Sequence, residues 1–152
     1  MYAIMKATYS GGNLVMKIAI RYYTKSKKGN TEKLAAQISK VIGERAVPVS
    51  TDLKENVDRL FLVNAMYASN IDKEVKDFLS RNKDKIGEVV NFCTSCSGKS
   101  TWSMVKKVCD ELDIPLSEKE FHCAASWIFI NKGLPSDEDY KNARQFAMSM
   151  KK

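Results

Sequence analysis

From Met16 onward, short apolar runs alternate with amphipathic segments of helical period. Met16–Tyr23 (MKIAIRYY) is rich in isoleucine and aromatics, the composition of a strand. After a lysine-rich connection, Leu34, Ile38, Val41 and Ile42 share one side of a helical period and predict a helix ending near Gly43. Arg45–Ser50 (RAVPVS) reads as a shorter strand, and Pro48, lacking an N–H, places it at a sheet edge. Arg59–Met66 (RLFLVNAM) is almost continuously apolar, as expected of a strand covered on both faces. Ile71, Val75, Phe78 and Leu79 form the stripe of the next helix, and Glu88–Cys93 (EVVNFC) the fourth strand. A helix over Ser100–Leu112 turns Val105, Val108, Cys109 and Leu112 inward, and a fifth strand is expected through Phe121–Ile130. Ser136 reads as the cap of the last helix, with Asp137, Glu138 and Asp139 where the helix dipole favours acids. Tyr140, Ala143, Ala147 and Met150 supply that helix's buried side.

Strands alternating with helices imply an open parallel sheet with helices on both faces. The pattern gives one domain over residues 16–152, preceded by an N-terminal extension over 1–15 that is either a surface segment or the product of an early start codon. In such sheets ligands bind beyond the carboxyl ends of the strands, where the strand order reverses. Three loops therefore matter: Thr24–Thr31, Asn64–Asn70 and Thr94–Lys99. The first runs from a strand into a helix N-terminus, whose unpaired N–H groups and positive dipole end attract phosphate. Thr24, Ser26, Thr31 and the Asn30 amide offer donors there, and Gly29 allows close backbone approach; the alternative is a polar connection with a helix cap.

Four blocks then carry a resemblance. Tyr23–Thr31 (YTKSKKGNT) followed by EKLA resembles the FMN-phosphate loop of flavodoxins. LFLVNAMYASNIDKEVKDFL is similar to that family's third strand, flavin loop and following helix, and NFCTSCSGKST to its fourth strand and second flavin loop. NKGLPSDEDYKNARQFA resembles the ending of small flavodoxin-like proteins, so the match spans roughly residues 16 to 150. The resemblance implies an α/β three-layer sandwich, its five-stranded parallel sheet ordered 2-1-3-4-5, with non-covalently bound FMN at the switch between strands one and three. Carried onto this chain, it assigns cofactor binding to Thr24, Lys25, Ser26, Lys28, Gly29, Asn30 and Thr31, to Asn64, Ala65, Met66 and Tyr67, and to Thr94, Ser95, Cys96, Ser97 and Gly98. Met66 and Tyr67 are the natural ring contacts. No catalytic residue and no metal ligand is assigned.

The chain departs from the family in three ways. Its phosphate loop is longer and holds Lys25, Lys27 and Lys28; the Asn64–Asn70 loop lacks the glycine that in many flavodoxins lets a peptide flip with the flavin's redox state; and the formal net charge is +7, where flavodoxins are usually acidic. A basic protein favours the anionic reduced flavin and hence a less negative potential, and it suits a partner with an acidic docking face.

Electron transfer through FMN to or from a partner redox protein is the function this implies, in the cytoplasm, by a monomer or weak dimer. The runner-up is an FMN-dependent NAD(P)H reductase of a quinone or similar small acceptor, and a third reading is a binding module that has lost flavin. No apolar run is long enough to span a membrane, and acids interleave with the lysines outside the phosphate loop, which argues against nucleic acid. Cys93 and Cys96 form a C-x-x-C between strand and helix, but no partner for a thioredoxin-type site is evident, and zinc would need a second ligand pair. Ser97–Thr101 (SGKST) lacks the first glycine of a phosphate-binding P-loop, because Cys93 stands in its place. His122 reads as structural, and Trp127 either flanks the ligand or belongs to the core.

Overall fold

The computed structural model describes residues 8–10, 13–25, 29–127 and 129–151. Within the N-terminal extension, β1 (Thr8–Ser10) and β2 (Asn13–Val15) pair antiparallel as a sheet of their own. The main sheet comprises β3 (Ile18–Tyr22), β4 (Ala46–Pro48), β5 (Val57–Ala65), β6 (Ile86–Ser95) and β7 (Phe121–Ala124), hydrogen-bonded in the order β4-β3-β5-β6-β7 and parallel throughout. Numbered within that sheet, the order is the expected 2-1-3-4-5. The helices are α1 (Asn30–Ile42), α2 (Lys73–Asn82), α3 (Trp102–Leu112) and α4 (Asp137–Ser149). Among the described residues no helix is long and apolar enough to cross a membrane.

The alternation of the strands sorts the core into two halves. Leu60, Leu62 and Val89 pack with Val75, Phe78 and Leu79 of α2 and Val105 and Cys109 of α3. Phe61, Val63, Val90 and Phe92 pack on the other face with Leu34 and Ile38 of α1 and Ala143 and Ala147 of α4. Phe92 lies 5.2 Å from Phe61 and 5.3 Å from Phe146 between ring centres. Covered on both faces, β5 is apolar throughout Leu60–Val63 and β6 throughout Val89–Cys93 except at Asn91. Gly87 admits close strand pairing there, since a Cβ would lie 2.6 Å from the Asp58 carbonyl oxygen. Arg21 is the exception on β3. Its guanidinium donates to the carbonyls of Ile20, Thr51 and Asp52, and burial lowers its pKa from the ordinary value, against the pull of Asp52.

Two expectations shift. β6 continues through Thr94 and Ser95, so these residues end a strand rather than open a loop. β7 stops at Ala124 instead of running to Ile130. It is an edge strand whose last pairing is Ala124 with Ser95, the final residue of β6. Beyond that point no backbone remains to pair with, and the apolar run folds on itself: Trp127 and Ile130 exchange backbone hydrogen bonds of 3.0 and 2.9 Å. At Ser136 the hydroxyl accepts from the Asp139 N–H while the Asp139 carboxylate accepts from the Ser136 N–H, the reciprocal cap that opens α4.

Candidate functional site

Where the sheet order reverses, at the carboxyl ends of β3, β5 and β6, lies a cavity of about 500 Å³. Thr24, Gly29, Asn30 and Thr31 line it from the first loop and α1, and Ala65, Met66, Tyr67 and Ala68 from the end of β5. Thr94, Ser95 and Cys96 line it from β6, and Ala125, Ser126, Trp127 and Ile130 from the turn after β7. Ten of the residues assigned from sequence are thus brought together: Thr24, Gly29, Asn30, Thr31, Ala65, Met66, Tyr67, Thr94, Ser95 and Cys96. Ser26 and Lys28 lie outside the described residues.

Part of the cavity's lining is polar. α1 begins at Asn30 after an extended Gly29, and no side chain caps it there. The helix's positive end is therefore directed at the cavity without a capping carboxylate or hydroxyl at Gly29. The Asn30 amide donates to the carbonyl and hydroxyl oxygens of Ser126 at 3.1 and 3.2 Å, which ties α1 to the turn after β7. Thr31 of α1 and Thr94 of β6 join their hydroxyls at 3.0 Å. One such bond uses one hydrogen, so the pair retains a second hydroxyl hydrogen that can serve a ligand.

The rest of the lining is largely aromatic and apolar. Tyr67 is held in place: its hydroxyl accepts the Lys25 N–H at 3.0 Å, the Lys25 ammonium lies 4.7 Å from its ring centre, and Tyr23 meets it edge-on at 6.4 Å. Lys25 does not line the cavity; it clamps the first loop to the second, with its ammonium 3.6 Å from Asp72. Burial raises the Tyr23 pKa, with the Asp72 charge adding to the effect. Tyr67 and Asn70 close a two-residue turn by backbone bonds of 2.7 and 2.9 Å. Both central residues are left-handed, Ala68 at φ 49° and Ser69 at φ 60°. Such turns favour glycine or asparagine, because an L side chain in that region costs about 1–2 kcal/mol. Ser69→Gly is expected to raise the melting temperature by about 2–4 °C, read by thermal unfolding; an unchanged or lower value would show that the turn is not strained.

Besides Lys25, three residues assigned from sequence stand elsewhere. Asn64 points away from the cavity into a buried network beneath α3. Its amide donates to Asn91 Oδ1 at 2.7 Å, and its oxygen accepts from the Thr101 hydroxyl at 2.7 Å. Ser97 is exposed and its hydroxyl accepts the Lys99 N–H, while Gly98 takes φ 76° in the tight turn closed on the Ser95 carbonyl. Four residues lining the cavity carried no sequence assignment: Ala68, Ala125, Ser126 and Ile130. Three of them lie in the stretch read as strand, where an apolar run gave no hint of a turn.

All four cysteines are free thiols, and only Cys96 is exposed. Cys93 faces α3, its sulfur accepting the Thr101 N–H at 3.3 Å, and burial raises its pKa. Burial pushes the Cys109 and Cys123 thiols up to about 12. The two sulfurs of the C-x-x-C thus occupy different environments, one sealed and one open. A thiol reagent at neutral pH is expected to modify one cysteine in the native protein and four in denaturant; two rapid equivalents would contradict this placement. His122 is exposed on the far side of β7, its Nδ1 2.8 Å from Glu120 Oε1.

No protein-family model matches the chain, and no curated protein sequence does. Solved structures do. A flavodoxin from the domain Archaea superposes with a TM-score of 0.65 at 13% identity, over 89% of this chain and 96% of that one. Flavodoxin 2 from Bacillus cereus gives 0.62 at 17% identity, covering 88% and 96%. An NAD(P)H:quinone oxidoreductase from Methanothermobacter marburgensis gives 0.57 at 8% identity, covering 90% and 99%. The fold is flavodoxin-like, and its structural neighbours are flavodoxins and flavin-dependent oxidoreductases.

Proposed function

We propose that this chain binds FMN in the cavity at the sheet's switch point and carries electrons to or from a partner redox protein with an acidic docking face. The observation that carries the reading is the cavity's mixed lining: the uncapped start of α1 together with Met66, Tyr67 and Trp127. A site of about 500 Å³ falls within the range of cofactor pockets. When bound, FMN supplies one- and two-electron chemistry through its ring. Backbone N–H groups at Gly29–Thr31 and the Thr31–Thr94 hydroxyl pair would hold the phosphate. Met66, Tyr67 and Trp127 would flank the ring and exclude water from it. The free thiols suit a reducing cytoplasm. In the visible absorption spectrum, flavin bands are expected to remain with the protein through gel filtration after incubation with FMN; loss of all flavin would remove this reading.

The likeness to an NAD(P)H:quinone oxidoreductase supports a second reading, an FMN-dependent reductase of a quinone or similar small acceptor. Bleaching of the flavin-loaded protein separates the two. Rapid bleaching by NAD(P)H alone is the reductase outcome, whereas a need for a separate reductase is the carrier outcome.

A further inference from the structure

The turn after β7 exposes more apolar surface than the cavity uses. Trp127 is 60% exposed, Phe129 82% and Ile130 48%. The turn is nevertheless fixed. Trp127 and Ile130 bond to each other through the backbone, and the Ser126 N–H donates to the Leu134 carbonyl at 2.9 Å. The Asn131 amide donates to the Cys96 carbonyl at 2.7 Å, and Asn30 holds Ser126 from α1. Three large apolar side chains held toward water make no core, and clusters of this kind mark interaction sites. The bonds already made at Ser126, Trp127, Ile130 and Asn131 reduce the ordering that a partner would have to supply.

The charge around the turn says what kind of partner fits. Among the described residues of the segments that follow β3, β5, β6 and β7, up to position 136, the cations Lys25, Lys99 and Lys132 stand against one acid, Asp72, which Lys25 approaches at 3.6 Å. The Lys132 ammonium lies 5.5 Å from the Phe129 ring centre, so cation and anchor are adjacent. A second copy of this chain placed here symmetrically would set these lysines against their own kind.

We propose that Trp127, Phe129 and Ile130 are the apolar anchors of a docking surface for a protein whose face presents an apolar patch ringed by carboxylates. The proposal rests on the electron-carrier reading for the partner's redox character, since the turn lines the same cavity. The test is calorimetric titration of the chain, with and without FMN, against an acidic [2Fe–2S] ferredoxin as probe. Saturable binding is expected, weakening with added salt, and Phe129→Ser is expected to weaken it about tenfold while leaving FMN retention on gel filtration unchanged. Three results would overturn the proposal: no binding of the ferredoxin, binding unchanged in Phe129→Ser, or occupation of the turn by something else. The last would appear as Phe129-dependent binding to phosphatidylserine vesicles or Phe129-dependent self-association in sedimentation. Loss of flavin with ferredoxin binding intact would defeat the electron-carrier reading and leave the docking surface standing.

Discussion

Replacing Asn64 with leucine is expected to destabilise the fold by about 3–4 kcal/mol, a large share of the ~5–15 kcal/mol that holds a domain together. The cost is not lost packing, since the two side chains are close in size. It comes from the partners left behind. Asn91 Oδ1 loses its 2.7 Å donor and the Thr101 hydroxyl loses its 2.7 Å acceptor, at positions with no exposure. Each stranded group costs about 1–3 kcal/mol when water cannot reach it. Adding Asn91→Leu removes one stranded amide, so the double variant is expected to be more stable than the sum of the single effects by at least about 1 kcal/mol. Urea unfolding of the two single variants and the double variant reads this directly. A loss under about 1 kcal/mol for Asn64→Leu, or simple additivity, would show that the network is not closed to water.

That network bears on the site because of where it is anchored. Asn64 directly precedes Ala65 and Met66 in the chain, Asn91 lies on β6 three residues before Thr94, and Thr101 directly precedes α3. The Asn91 amide also donates to Thr101 Oγ1 at 3.1 Å and reaches Glu120 at 3.4 Å, which in turn accepts from Ser100 at 2.6 Å. Two of the strand ends lining the cavity and the start of α3 are therefore fixed to one another from below. A cavity built this way keeps its shape without a ligand, which reduces what a cofactor must spend on ordering it.

These features were not equally legible in the sequence. The alternation of strands and helices was readable because β5 and β6 are buried on both faces, so their apolar runs leave little choice of element. The phosphate end was readable as well, since Gly29, Asn30 and Thr31 sit where a strand gives way to a helix. The resemblance assigns Asn64 to the ligand as the first residue of the loop Asn64–Asn70. In the structure β5 continues to Ala65, and strand parity turns Asn64 to the opposite side from Ala65 and Thr94. Its partners Asn91 and Thr101 are 27 and 37 positions away, a separation that no local pattern encodes. The turn at 125–131 was hidden for a different reason. Its tryptophan and isoleucines have the composition of a strand, and only the end of β6 at Ser95, one strand over, denies them a pairing partner.

At the start of α1, Asn30→Asp is expected to weaken FMN binding by about tenfold to a hundredfold. The change is nearly isosteric, so its effect is charge. A carboxylate about 6 Å from a phosphate dianion costs about 1.4 kcal/mol in bulk water, and several times that where the protein displaces water. Effects on the apoprotein should be small. An acid in the first turn of α1 interacts favourably with the helix dipole, by about 0.3–1 kcal/mol. The lost bonds to Ser126 offset that gain by a similar amount. Asn30→Ala is the control, because it removes the Ser126 bonds without adding charge, and its FMN affinity should fall by no more than about threefold. Flavin fluorescence quenching gives the affinities, and thermal unfolding without flavin gives the stabilities. If the two variants lose affinity equally, the phosphate does not sit at the start of α1. The reading of this cavity as an FMN site would then have to give the phosphate another anchor or be abandoned.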